Sequence, residues 1–424
     1  IANDSDPMPY FTAPEALPID KIDAVILTHA HLDHAGMLPV LFKYGYTGPV
    51  YCTPPTRDLM LLLQTDYLKI GGAEGKRSPY DMEDIRTCMR HVIDLDWGQT
   101  VDIAPDMKLT FHNSGHIIGS SSLHLHIGNG KHNLVFSGDQ KYEKSWLFDA
   151  ASSRFPRCET LVLESTYGGD GDFQPSREEA NQELQDIVSR TIKRGGKMIC
   201  PVFAVGRSQE VMIAIDDLFK SGIVKPVPVY LDGMIQEATA IHASHPNYLT
   251  QSLRKGILKD DGNNPFTSEW FRAVQGREMR ESIISDGGPC IVLATSGMMN
   301  AGPVINYFQN WAHDNRNSLC FVGYQAEGTL GRRLQKGFTE VPLVVNGRTE
   351  IVQVGCEMTT IDGFSGHSDR RQLIEFVENM SPRPKKVIFH HGDFFKANEL
   401  GRALREKFKL RTFTPQNLET IRLS

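Results

Sequence analysis

The spacing of apolar and polar positions divides this chain into three stretches. In KIDAVILT, residues 24–27 form an unbroken apolar run, as expected of a strand buried on both faces. Helical spacing follows from about Gly36, then the strand PVYC, a helix through TRDLMLLLQTDYLKI and another over 79–90. Four strands come next: MKLTFHNS, SSLHLHIG, HNLVFSGD and TLVLEST. In LHLHIG, Leu123, Leu125 and Ile127 alternate with His124 and His126. That is the period of a half-buried strand, so both histidines are expected on its solvent face.

From about Ser176 the pattern changes to alternating strands and helices. The helix SREEANQELQDIVSRTIKR leads to KMICPVF, a helix from Gly206, VPVYLD and a long irregular stretch to Asp286. CIVLATSG, a helix, SLCFVGYQ and a helix from Gly328 complete the series. Strands joined through helices and Gly-rich turns predict a parallel sheet. After about Cys356 the first style returns with GFSGHSD, the helix RRQLIEFVENM, the strand KKVIFHHGD, a further helix and a terminal strand. The expected organisation is one α/β domain, residues 1–172 and 356–424, interrupted by a parallel-sheet α/β domain, 173–355. A length of 424 residues, too great for one ordinary core, agrees with this division.

The strands of the first domain end in costly polar groups. THAHLDHAG places His29, His31, Asp33 and His34 directly after the AVIL run. Imidazole and carboxylate together suit Zn²⁺ or another first-row metal. Residues two apart in an extended stretch face the same way, so His29 and His31 can grip one ion, while Asp33 and His34 address a neighbouring position. Two ions about 3.5–4 Å apart need a further ligand each and a shared bridge. His116 in SGHIIGS, Asp139 in FSGDQ and His391 in FHHGD supply three such groups, each just after a strand. In the second domain, Thr295-Ser296-Gly297 and Thr329-Leu330-Gly331 each precede a helix, whose N-terminus favours anions. Ser296, Gly297, Arg207 and Arg332 are therefore candidate phosphate-binding residues.

Composition narrows the classes. Hydrophobic content of 40% and charged content of 23% are those of a soluble globular protein, and no apolar stretch is long enough to span a bilayer. The net charge of −6 argues against a generally basic nucleic-acid binder but not against a groove in which bound cations reverse the local sign. The seven cysteines are scattered, never paired as C-x-x-C, and several lie inside apolar strands. They predict buried free thiols in a reducing, cytoplasmic setting, with neither a disulfide frame nor a thiolate zinc site.

The motifs THAHLDHAG, GHIIGS and FSGD resemble those of the metallo-β-lactamase fold, an αββα sandwich. LVLESTYG, GFSGHSD and FHHGD resemble the additional motifs of its β-CASP nuclease branch, and FAVGRSQE, LATSGMM and GYQAEGTLGRR fit the inserted domain. The likeness covers the whole chain and is nearest to archaeal homologues of the cleavage and polyadenylation specificity factor endonuclease. It implies two zinc ions, one held by His29, His31 and His116, the other by Asp33, His34 and His391, with Asp139 bridging. Asp33 would also orient the attacking water. His367, paired with Glu164, would be the general acid, and His390 would turn away from the site. The implied activity is hydrolysis of RNA phosphodiester bonds, by endonuclease and possible 5′-3′ exonuclease action, leaving a 5′-phosphate and a 3′-hydroxyl. His391 leans towards RNA, since DNA-acting relatives carry an aliphatic residue there. Single-stranded RNA and a second copy of the chain, joined through the tail TFTPQNLETIRLS, are the implied partners. A scaffolding paralogue without activity is the competing class, and a DNA nuclease is a weaker one. The family pattern also opens with strands bearing a further Asp, and near relatives carry an RNA-binding KH module. This sequence opens at IANDSDPMPYF, so a fragment is expected.

Overall fold

The computed structural model describes residues 18–73, 75, 77–259, 264–345, 348–416 and 418–423; the opening segment IANDSDPMPYF, Asn417 and Ser424 lie outside them. The chain divides into two compact units. The first comprises Ile1–Lys144, Phe148–Phe173 and Gly366–Ser424, and the second Ser145–Leu147 and Gln174–Ser365.

Two sheets form the first unit. Val25–Ile26, Val50–Cys52 and Val92–Asp94 make a small parallel sheet. Seven strands make the larger one, in the order Arg411–Phe413, Lys386–His390, Thr160–Glu164, His132–Phe136, Ser121–Ile127, Met107–Asn113, Thr100–Ala104. Tyr51 and Leu95 meet Leu109, Phe111 and Leu123 in a core shared by the two sheets. On the other face of the large sheet, Leu373, Phe376, Leu400 and Leu404 pack on Val135, Leu161 and Val387, which seats the helices Arg370–Asn379 and Phe394–Phe408. Helices Leu38–Lys43, Pro54–Ala73 and Met82–Arg90 cluster around Val40, Tyr80 and Ile85. The layers are those of the expected αββα sandwich.

Several boundaries differ from expectation for local reasons. The helix expected over 79–90 starts at Met82, because Asp81 caps it by accepting from the Glu83 and Asp84 backbone N–H groups. Helical structure after the histidine loop begins earlier than Gly36, as Leu32–Ala35, and restarts at Leu38. His124 is not on a solvent face. It is 1% exposed, with its ring against those of His112, His126 and Phe155. The 149–158 segment brings Phe155 over that face of the strand, so alternation marked two different buried environments.

The second unit holds a six-stranded parallel sheet in the order Phe271–Ala273, Val229–Asp232, Ile291–Ala294, Met198–Pro201, Ser318–Phe321, Glu357–Thr360. Because Glu357–Thr360 pairs with Ser318–Phe321, the unit ends at Ser365, beyond the expected 355. The stretch read as irregular contains the helices Ile235–Ser244, Gln251–Leu258 and Gly276–Ser285. A hairpin, Glu340–Val345 with Arg348–Gln353, adds a feature the sequence reading did not anticipate.

Candidate metal centre

The seven candidate ligands all arise from turns that leave strands of the first unit. His29 and His31 follow Val25–Ile26, and Asp33 and His34 occupy the first turn after it. His116 follows Met107–Asn113, Asp139 follows His132–Phe136, and His391 follows Lys386–His390. Glycines make the tight exits possible. Gly115 and Gly138 both adopt positive φ, of +72° and +57°.

The structure brings these side chains together in two groups. His29, His31, His116 and Asp139 offer ligand atoms within 4.8 Å of one another, and so do Asp33, His34 and His391. Asp139 lies between the groups. Its Oδ2 is 3.5 Å from His29 Nε2, 3.3 Å from His34 Nε2 and 3.7 Å from His116 Nε2, while its Oδ1 is 3.5 Å from His391 Nδ1. His391 Nε2 lies 3.4 Å from Asp33 Oδ2.

Second contacts aim the rings. Thr28 Oγ1 holds His29 Nδ1 at 3.1 Å, and the Gly366 carbonyl accepts from His116 Nδ1 at 2.8 Å. Each ring therefore turns Nε2 inward. Burial pushes the pKa of His29 and His116 well below 6.5 and takes His31 down to about 4, so these imidazoles are neutral and can donate lone pairs. Asp139 is also buried, which opposes ionisation, yet the histidines around it hold its carboxyl well below the ordinary range.

The donor set fits a bound cation. His29 Nε2, His34 Nε2 and Asp139 Oδ1 are buried and lack a hydrogen-bond partner. His116 Nε2 and His31 Nδ1 stand 3.1 Å apart, close enough to share one proton or one cation. Orphaned buried polar atoms are costly, and a metal satisfies all of them at once.

Beside the ligands, His367 Nδ1 lies 3.1 Å and 3.2 Å from the two Glu164 carboxylate oxygens. Glu164 is fully buried and also accepts from Gln140 N at 2.7 Å. Burial lowers the pKa of His367, but the Glu164 carboxylate outweighs it and the net shift is upward. The ring of His367 stacks on His391 at 5.7 Å, and one of its nitrogens lies within ligand distance of Asp139 and His391. His390 turns away: its ring packs on Phe136 at 4.5 Å.

Sequence reasoning missed the residues that aim these groups. Thr28 and the Gly366 carbonyl are two; Thr166 is the third, with its Oγ1 3.1 Å from His391 Nδ1 and 3.5 Å from His367 Nδ1. Their signal was proximity in the chain: Thr28 adjoins His29, Gly366 adjoins His367, and Thr166 lies two residues after Glu164.

The four phosphate candidates lie in the second unit. Arg207 is buried and donates to the Phe364 carbonyl. Ser296 Oγ donates to the Ala301 carbonyl at 3.0 Å, and Arg332 Nε to Glu327 Oε1 at 3.1 Å. The helix expected directly after Gly297 starts only at Pro303, following Gly302 at a φ of +85°, so Ser296 and Gly297 do not sit at a helix N-terminus. Gly331 lies inside the helix Leu330–Gln335, which Thr329 caps.

Comparison with known proteins agrees with this architecture. A metallo-beta-lactamase superfamily domain matches residues 6–154, a Beta-Casp domain 208–334, and a Zn-dependent metallo-hydrolase RNA specificity domain 351–415. The chain is similar to the transcription termination factor FttA of Methanosarcina mazei, 54% identical over 424 residues, covering 100% of this chain and 66% of the relative. It is also similar to that of Thermococcus kodakarensis, 50% identical over 420 residues, 98% of this chain and 64% of the relative. The factor from Lokiarchaeum sp. is 48% identical over 424 residues, again 100% and 66%. The chain thus spans about two thirds of the length of the curated relatives it matches. With all three domains in order around a histidine–aspartate cluster, the chain belongs to the metallo-β-lactamase/Beta-Casp family of Zn-dependent nucleases.

Proposed function

We propose that this protein is a zinc-dependent ribonuclease that hydrolyses phosphodiester bonds of single-stranded RNA, acting in transcription termination and RNA 3′-end processing. The observation that carries the reading is the pair of ligand groups meeting at one buried aspartate, with three orphaned donor atoms. We assign two zinc ions: His29, His31 and His116 for one, Asp33, His34 and His391 for the other, Asp139 for both. When bound, such ions lower the pKa of water to about 7 and neutralise charge on a phosphate.

The protein's own groups do the rest. Asp33, 44% exposed on its side chain, is open to solvent beside the cluster and orients the attacking water. Glu164 takes up His367 Nδ1, which leaves Nε2 to carry the proton for the departing 3′-oxygen. Glu164 also supports the protonated imidazole, so the proton is available near neutral pH. Of the four phosphate candidates, Arg332, 42% exposed on the helix that Thr329 caps, remains the proposed contact for a substrate phosphate.

A test is elemental analysis of the purified chain beside Asp139→Ala, together with cleavage of end-blocked and end-free RNA with and without chelator. The expected outcome is two zinc ions in the parent, fewer in the variant, and cleavage abolished by chelator. Full zinc occupancy in Asp139→Ala would sink the bridging assignment. A chain that holds no metal and cuts no RNA would be the scaffolding paralogue instead.

The proposed compartment is the cytoplasm, supported by seven buried free thiols; no described helix is long and apolar enough to cross a membrane. Homodimerisation through the tail is also proposed. Lys386 Nζ, 5.6 Å over the ring of Phe413 on the edge strand Arg411–Phe413, donates to the Arg422 and Leu423 carbonyls, which supports a tail near that edge, where a second copy would pair. Unchanged sedimentation after deletion of 417–424 would refute it.

A further inference from the structure

Two large apolar side chains stand exposed at the start of the helix that follows the His391 turn. Phe395 is 80% exposed and Phe394 51%, on the first turn of the helix Phe394–Phe408, which begins three residues after His391. Their rings meet edge to face at 5.9 Å. Leaving this much of both rings exposed forgoes hydrophobic stabilisation. Phe395 borders an open recess of about 270 Å³, whose other walls are Asn398, Glu399, Arg402 and Arg405, all from the same helix.

A third aromatic ring, that of Tyr167, joins this surface to the chemistry. Lys396, the residue after Phe395, places Nζ 5.5 Å over the ring of Tyr167 and also donates to the Thr166 carbonyl at 3.4 Å. Tyr167 is half-buried, and its ring centroid lies 6.3 Å from that of His367. The backbone at Gly168 is tight against the carbonyl of Lys396, so the Tyr167 segment and the start of the helix are held as one piece.

The geometry points to a base-stacking path for the substrate: Tyr167, Phe394 and Phe395 receive successive bases of single-stranded RNA on the 5′ side of the broken bond. This rests on the ribonuclease reading above. The side follows from the proton's destination. His367 delivers it to the departing 3′-oxygen, which belongs to the nucleotide upstream of the break, and Tyr167 is the aromatic ring beside His367. Aromatic faces accept any base, and the recess adds an amide and a carboxylate for base edges, with Arg402 held by Asp170 and Arg405 by Thr412. A protein partner would also cover exposed phenylalanines, but their helix follows the His391 turn and is tied through Lys396 to Tyr167, the ring beside His367, which favours the nucleic acid.

The test uses an RNA whose cleavage position has been mapped, made non-cleavable at that bond, with the fluorescent base 2-aminopurine placed in turn at three positions on either side. Stacking on an aromatic ring quenches that base. The parent protein should quench upstream positions more than downstream ones. Phe395→Ala should remove quenching at an upstream position and weaken RNA binding about 10-fold, within the range of one lost base stack. The same loss should appear in KM for cleavable RNA more than in kcat, and Phe395→Trp should restore both readouts. Tyr167→Phe, which keeps the ring, should retain quenching next to the break where Tyr167→Leu loses it. Unaltered affinity and quenching in Phe395→Ala, or quenching confined to downstream positions, would overturn the path while leaving the ribonuclease reading intact. A parent protein that neither binds nor cleaves RNA would remove both.

Discussion

At the scale of single residues, His367 is the group whose role geometry leaves to chemistry. It sits against Glu164, which favours an acid, yet it also lies within ligand distance of Asp139 and His391. The two roles have different consequences. As the acid, His367→Ala should retain the parent's metal content and lose about 10²–10⁴-fold in turnover. Glu164→Gln should lose less, because the imidazole remains but lacks the charge that orients it, and the double variant should fall well short of additivity. An RNA analogue with a leaving group that needs no proton should recover most of the His367→Ala rate. It should recover none in His29→Ala, where a ligand is gone. Zinc depletion in His367→Ala, measured by elemental analysis, would make it a ligand and leave its pairing with Glu164 a structural one.

Among the elements, the strand exits decide whether the ligands converge. Gly138 shows how little room they have. A Cβ there would stand 2.9 Å from Thr28 Cβ and 3.2 Å from the Ser121 carbonyl oxygen, on backbone at a φ of +57°. Thr28 aims His29, and Asp139 follows Gly138, so one methyl group would displace the proposed bridge and a proposed ligand together. Gly138→Ala should cost roughly 1–3 kcal/mol from crowding and lose metal, although no ligand has been altered. Parent-like melting and zinc content would show that the turn can relax. In the second unit the first helix, Arg177–Lys193, starts at a reciprocal cap. Ser176 accepts from the Glu179 N–H, and Glu179 accepts from the Ser176 N–H. Ser176→Ala should therefore destabilise that unit by about 1 kcal/mol in denaturant unfolding.

For the whole molecule, buried neutral histidines set the response to acid. Burial takes both His124 and His242 down to about 4, and in His242 the Nδ1 is held by the Ala238 carbonyl at 2.7 Å. The unfolded chain would protonate these groups near 6.5, the folded one only near 4. Between those values the unfolded state binds more protons, so stability is intact above about pH 6.5, falls on acidification, and the loss is complete below about pH 4. Replacing His242 with Gln should make the loss between pH 7 and 5 shallower by about 1–2 kcal/mol in the chelated protein, read by urea unfolding at each pH. An unchanged pH slope would show that His242 is protonated in the folded state.

The sequence by itself determined the apolar runs that become strands, the interruption of one α/β domain by another, and the motifs that end in His29, His31, Asp33, His34, His116, Asp139 and His391. Strand periodicity is local, and a polar group after an apolar run is visible without knowing its neighbours. Tertiary structure alone decided what lies beyond one strand. It buried His124, because Phe155 arrives from a loop about thirty residues away. It moved the inner boundary to Ser365, because strand pairing assigns Glu357–Thr360 to the inserted sheet. It left Arg207 buried in the second unit and placed Ser296 seven residues before the start of the helix it was read as opening. It also set Thr166 between His391 and His367, residues more than two hundred positions away in the chain. Burial and convergence depend on which segments meet, and that information resides in packing between strands, outside the period of any one of them.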